Sequence, residues 1–224
     1  MAARFKEIPS STIYDTLEPL GYPNQCLALA IRPLHPDMRI AGPAFTVRGG
    51  REPRNHHEEP EMMLPKFNDW GMYKVLRPGC VIVMNSESER DCGHFGEMMS
   101  YTAKQFGATG ILIDGGIRDQ RGLLQIPDWP VFVRYVSPIE GAHRFSANDF
   151  DVPISMSGTL TSQVRVDPGD WIVGDETGVL CIPQAIALKV LLLAEETEAR
   201  ELRTREELAA GYPAAEVFAR YHRL

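Results

Sequence analysis

Short apolar runs, each closed by Gly, Pro or Asp, alternate along the chain with stretches of helical spacing. Ser10 or Ser11 is placed as the N-cap of a helix through Leu17 and Leu20, which Gly21 stops. Pro33, Pro36 and Pro43 punctuate the next stretch and leave Arg39–Val47 as the first strong strand. A second apolar run, Cys80–Met84, comes after Pro78-Gly79. From Glu97 to Phe106, Met98, Tyr101, Thr102 and Phe106 fall near helical spacing, and Gly107 sits where a left-handed residue ends a helix. Ile111–Ile113 is then long enough for a buried strand, broken by Asp114-Gly115-Gly116. Further along lie the strand Pro130–Tyr135 and the β-like segments Val152–Met156, Leu160–Val166, Trp171–Val173 and Gly178–Ile182. Ala185–Leu193 is apolar on several sides, so it packs against the sheet, whereas Glu195–Glu207 is strongly charged.

This mixture of βα alternation and a strand-rich second half predicts one α/β domain over residues 1–190 and a helical tail over residues 191–224. At 224 residues the chain can bury one sizeable core. A net charge of −7, with no run of Lys or Arg, argues against a partner bound through a nucleic-acid backbone. No segment has the apolar length of a signal peptide or a membrane span, so a cytoplasmic protein without membrane contact is expected. Cys26, Cys80, Cys92 and Cys181 form no C-x-x-C pair and are expected to be reduced, mostly buried thiols.

Candidate chemistry concentrates in Gly93–Asp119, where a loop, a helix, a tight turn, a strand and a glycine loop occur in order. A strand ending in a glycine loop is where an open α/β sheet places its ligands. The free N–H groups at the start of the Glu97–Phe106 helix face the same crevice and favour a carboxylate or phosphate. Glu97 and the pair Arg118-Asp119 converge there. Read singly, Glu97 is a favourable first-turn carboxylate, and Arg118-Asp119 a surface ion pair or turn.

Gly96-Glu97, twenty residues, then Arg118-Asp119, with Asp114-Gly115 between, resembles the signature of the pyruvate aldolases that cleave 4-hydroxy-4-methyl-2-oxoglutarate and 4-carboxy-4-hydroxy-2-oxoadipate. Their superfamily also contains the regulator of ribonuclease E activity A. Arg39–Val47, Pro78–Val83 and Pro168–Val179 resemble further strands of that family, so the likeness covers nearly the whole chain. Glu201, Arg205, Leu208 and Gly211 resemble its E-x-x-x-R-x-x-L-x-x-G tail. The resemblance implies a layered α-β-β-α sandwich with a C-terminal helical tail. It also implies homotrimers or dimers of trimers with active sites between subunits, the tail packing on a neighbour. It further implies that Glu201 reaches an adjacent subunit's site, although a plain Glu201–Arg205 pair on one helix explains those residues equally well.

Retro-aldol cleavage beside a pyruvyl group leaves an enolate whose charge must be held. Lys104, the only lysine of the central stretch, lies in mid-helix, which leaves a divalent metal as the Lewis acid. Mg²⁺ or Mn²⁺ needs only one or two protein carboxylates. Asp119 is the expected metal ligand, with Glu97 holding a metal-bound water. Arg118 clamps a carboxylate or enolate oxygen of a small 2-oxo acid. The amides of Gly96, Glu97, Met98 and Met99 bind further carboxylate oxygens. Glu97, or Glu201 of a neighbour, serves the proton transfer. The expected activity is class II pyruvate aldolase with oxaloacetate decarboxylation. The alternatives are a lyase for another 2-oxo acid and a non-catalytic protein-binding regulator. In that regulator the acidic position before the spacer is typically lost, whereas Glu97 is kept here.

Several residues fall outside this constellation. The stretch from Arg48 to Trp70, with His56, His57, Glu58, Glu59 and Glu61, has no metal-binding spacing and reads as a polar loop or a substrate-selecting lid. Glu61–Leu76 reads as helical. His94 either touches a ligand or fills space, and His143 and Arg144 face solvent from a loop.

Overall fold

The computed structural model describes residues 1–52, 71–86, 91–142 and 144–221. In chain order its elements are α1 (Ala2–Lys6), α2 (Ser10–Leu17), β1 (Arg32–Pro33), β2 (Ile40–Arg51), α3 (Gly71–Val75), β3 (Val81–Asn85), β4 (Gly93–Phe95), α4 (Glu97–Gln105), β5 (Gly110–Asp114), β6 (Gly116–Ile117) and α5 (Gln120–Leu123). Then come β7 (Val131–Val133), β8 (Tyr135–Val136), β9 (Phe145–Phe150), β10 (Ile154–Ser157), β11 (Gln163–Val166), β12 (Trp171–Gly174), β13 (Val179–Ile182), α6 (Ala187–Ala209) and α7 (Ala214–Tyr221).

The main sheet runs β1-β7-β5-β3-β2-β12-β13, with β9 also on β2. Its centre, β7-β5-β3-β2, is parallel, and the flanking strands are antiparallel. Residue alternation sorts the side chains into layers. On β3, Ile82 and Met84 join the cluster under α4 and α5, while Val81 and Val83 join the cluster beneath the β10–β11 hairpin. On β12 and β13, Ile172, Val179 and Cys181 face that hairpin layer, while Val173, Leu180 and Ile182 face α1, α2 and α6. β2 threads both halves, with Ala41 in the α2–α6 layer and Phe45 under α4. The result is the expected helix–sheet–sheet–helix sandwich.

A second sheet, β4-β6-β8, positions the site. Each of its parallel strands continues from a strand of the main sheet: β3 leads to β4, β5 to β6 after Gly115, and β7 to β8 after Arg134. Gly93–Phe95 is therefore a buried strand, where the sequence reads as a loop, because three residues are too few to carry a period.

Other expectations shift in detail. Helix α2 begins at Ser10 itself, and the Ser10 N–H and hydroxyl both bond Asp175, at 2.7 Å each. A carboxylate from the β12–β13 turn thus caps the helix, in place of a local serine. Phe145–Phe150 forms β9 against β2. The boundary drawn at residue 190 falls inside α6, which is continuous from Ala187 to Ala209. Arg205 pairs with the Glu198 carboxylate, and its Nε donates to the Glu201 carbonyl at 3.3 Å. None of the four cysteines forms a disulfide, and Cys80, Cys92 and Cys181 are buried. No helix among the described residues is long and apolar enough to cross a membrane. Most of the Arg48–Trp70 stretch, part of Glu61–Leu76, and His143 lie outside the described residues.

Candidate active site

Gly96, Glu97, Arg118 and Asp119 come together where β4 and β6 end. The Arg118 N–H donates to the Phe95 carbonyl at 2.9 Å, which ties the two strand ends side by side. Asp119 comes next in the left-handed conformation (φ 60°, ψ 37°), and its carbonyl accepts from Leu123 N–H to start α5. Asp is one of the few residues that enters this region at modest cost. The turn swings the carboxylate back, so that Asp119 Oδ2 lies 3.4 Å from the Glu97 N–H at the start of α4.

Close approach explains the glycines. A Cβ on Gly96 would lie 2.7 Å from Asp119 Oδ2, and one on Gly93 would lie 2.6 Å from Arg118 Cγ. Gly96 has ordinary extended torsions (φ −142°, ψ −172°), so what it supplies is space rather than an unusual backbone. The Glu97 carboxylate lies over Gly122 of α5, where a Cβ would come within 2.0 Å of Oε2. The first-turn N–H groups of α4 have no acceptor within the helix, and Asp119 satisfies only that of Glu97. The Met98 side chain is exposed, and that of Met99 packs on the core.

Arg118 is half-buried and sits between two carboxylates. Nε is 3.7 Å from Asp119 Oδ2, and Nη1 is 3.3 Å from Glu140 Oε1. Glu140 belongs to no recognisable motif and lies 22 positions beyond Arg118, so nothing in the sequence marks it. Glu201 is not brought here. It lies on α6 in the α2–α6 layer, 3.5 Å from Thr12 Oγ1. His94 is buried; its Nδ1 accepts from Gly116 N–H at 3.1 Å and its ring meets Phe145 edge-on at 4.6 Å. It packs the floor under the Gly115–Gly116 turn.

A separate cleft of about 730 Å³ opens on the hairpin side, lined by Arg48, Asn85, Asp114, Ser157 and Arg165 among others. Arg48, Asn85 and Asp114 stand in register on β2, β3 and β5, with Asn85 and Asp114 closing their strands. Each charge there is already paired: Arg48 with Asp149, Asp114 with Arg134, and Arg165 with Asp167. Burial alone would raise the Asp114 carboxyl, but Arg134 and the Ser157 N–H outweigh it and hold the group below the usual carboxylate range. This network is internally satisfied, and it braces the turn leading to Arg118.

A family model described as RraA-like, Aldolase/RraA, matches residues 10–181. A protein of Halalkalibacterium halodurans, provisionally named a 4-hydroxy-4-methyl-2-oxoglutarate aldolase, is 31% identical over 196 residues, or 88% of this chain and 82% of its own. Protein DlpA of Legionella pneumophila is 28% identical over 204 residues, which span 90% of this chain but 30% of DlpA. Among solved structures, Streptomyces coelicolor RraAS2, described as an unusual member of the RNase ES inhibitor RraA family, superposes with a TM-score of 0.76 at 22% identity. That superposition covers 92% of this chain and 97% of RraAS2, and the likeness is one of fold.

Proposed function

Because the chain belongs to the RraA-like aldolase family, we propose that it is a divalent-metal-dependent lyase releasing pyruvate from a 4-hydroxy-2-oxo acid, with oxaloacetate decarboxylation as a second activity. One observation carries this reading: the α4 amides, Arg118 and the Asp119 carboxylate meet within one crevice.

The residues present fit a hard cation. Asp119 offers carboxylate oxygen in the space that Gly96 leaves open. A single protein carboxylate is enough for an ion that keeps most of its waters, as Mg²⁺ does. When bound at Asp119, such an ion supplies Lewis-acid stabilisation of negative charge on the keto oxygen.

The chain's own groups do the rest. The amides at the start of α4 hold the pyruvyl carboxylate, helped by the positive end of the helix. Arg118 binds an adjacent oxygen and offsets charge as it develops. A base takes the C4 hydroxyl proton, the C3–C4 bond breaks, C4 leaves as a carbonyl, and the electron pair stays on C3 as the pyruvate enolate. Glu97 orients the water that carries that proton and returns one to C3. In decarboxylation, CO₂ leaves in place of the carbonyl product and the same enolate remains. Glu201 takes part in this reading only from a second copy of the chain.

The test is pyruvate release from 4-hydroxy-4-methyl-2-oxoglutarate and from oxaloacetate, coupled to lactate dehydrogenase, with Mg²⁺ and with EDTA. Release that requires the metal is expected, and Arg118→Ala and Asp119→Ala are each expected to lower it by about 100-fold or more. Near-wild-type rates in either variant would sink the mechanism. No release from either substrate would leave the protein-binding regulator as the better reading.

A further inference from the structure

We propose that Asp114 and Arg134 are positioning residues for this site. Their ion pair fixes the angle at which β6 leaves the main sheet, and so aims Arg118 and Asp119. The effect on turnover rests on the lyase reading above; the effect on metal affinity is measured separately from it.

The second sheet is too small to set its own direction. β6 and β8 have two residues each, with Gly116 paired to Tyr135 and Ile117 to Val136. Their course is decided where β5 and β7 run on into them, and both crossings meet at one place. Asp114 closes β5, and Arg134 stands between β7 and β8. The Arg134 N–H donates to the Gly115 carbonyl at 2.9 Å, and Arg134 Nε donates to Asp114 Oδ1. One residue thus holds the neighbouring crossing by its backbone and by its side chain. Asp114 Oδ2 accepts from the Ser157 N–H of β10 at 2.7 Å, and the Asp114 carbonyl accepts from Ser86 Oγ at 2.7 Å. The Asp114 side chain is 7% exposed and that of Arg134 26%, so removing either partner strands a poorly solvated charge.

The chain beyond this point has no slack. Only Gly115, Gly116 and Ile117 lie between Asp114 and Arg118. A Cβ on Gly115 would lie 2.8 Å from His94 Cε1, and one on Gly116 would lie 2.1 Å from Tyr135 Cε2. The Ile117 carbonyl accepts from Ser137 N–H at 2.9 Å, and Arg118 N–H donates to the Phe95 carbonyl at 2.9 Å. A rotation at Asp114 is therefore carried to Arg118 and Asp119 rather than absorbed on the way. The side-chain contacts of Arg118 are looser, at 3.7 Å to Asp119 and 3.3 Å to Glu140. Its place is set mainly by the backbone that the ion pair holds.

The experiment compares wild type with Asp114→Asn and Arg134→Ala. Thermal unfolding, calorimetric Mn²⁺ affinity, and kcat and KM for pyruvate release from 4-hydroxy-4-methyl-2-oxoglutarate are measured on the same preparations. Both variants are expected to lose about tenfold or more in Mn²⁺ affinity and in kcat, because small displacements of a metal ligand and its neighbour are costly. KM is expected to change less than kcat, since the α4 amides that hold the substrate carboxylate follow β4. Millimolar guanidinium is expected to restore part of both losses in Arg134→Ala. A pair with a structural role alone would lower the unfolding temperature and leave Mn²⁺ affinity and kcat of the folded protein at wild-type values; that result overturns the proposal. If Asp114→Asn does not fold, Arg134→Ala and its response to guanidinium decide in the same way. If wild type binds Mn²⁺ but releases no pyruvate, the lyase reading fails, and the proposal stands or falls on the affinities alone. A wild type that binds no Mn²⁺ overturns both.

Discussion

Glu97 reaches its place because Gly122 has no side chain. A methyl group there would overlap Oε2 at 2.0 Å, and Glu97 is the flexible partner, so the carboxylate and any water it orients would move. Gly122→Ala is therefore expected to fold normally and to lower kcat by about 10- to 100-fold, since small displacements of a positioning group are costly. Thermal unfolding and steady-state rates on the same preparation test this; a variant with unchanged kcat would remove Glu97 from the chemistry. Asp119 shows the same logic in the backbone. Its left-handed torsions aim the carboxylate at Gly96, and a residue that avoids this region would turn it away.

Among the elements, α2 shows how tertiary contacts replace a local signal. Its start has no side-chain cap of its own, and Asp175 accepts from Ser10 twice and from Thr177 N–H at 2.8 Å. Burial pushes the Asp175 carboxyl up, but these donors outweigh it and leave the group below the usual range. A carboxyl depressed in the folded state contributes stability above its unfolded value, near pH ~4, and loses it as pH falls through the folded value. Asp175→Ala is expected to cost about 2–4 kcal/mol in urea unfolding at pH ~7. The gap from wild type should narrow steadily below about pH 4. A gap independent of pH would mean that packing, not charge, holds the turn. The same direction applies to Asp114, whose partner Arg134 lies just after β7.

At the scale of the whole molecule, the sandwich puts Glu201 and the Arg118–Asp119 pair in different layers. α6 packs on its own chain through Val190, Leu191 and Ala194, and leaves Leu188, Leu192 and Leu202 exposed. A role for Glu201 in turnover therefore requires a second copy. If it has one, Glu201→Gln and Arg118→Ala chains should each be inactive alone and regain part of the wild-type rate when dissociated and reassembled together. Intact activity in Glu201→Gln, or no recovery on mixing, would confine Glu201 to the surface of α6.

Local chemistry made much of this legible. A resemblance in spacing singles out Gly96-Glu97 and Arg118-Asp119, while periodicity marked the apolar strands and glycines marked the end of α4 at Gly107 and the turn after β5. These signals are short-range, fixed by sterics and by the period of each element. The rest needed the folded chain. β4, β6 and β8 are too short for a period and exist only because longer strands deliver them side by side. Asp175 reaches Ser10 across 165 positions, and Glu140 reaches Arg118 through a segment fastened to β4 and β6. The residues and their spacing specify which groups are present. Which carboxylate meets which cation is decided by long-range packing, because contact energy depends on distances that local sequence does not set.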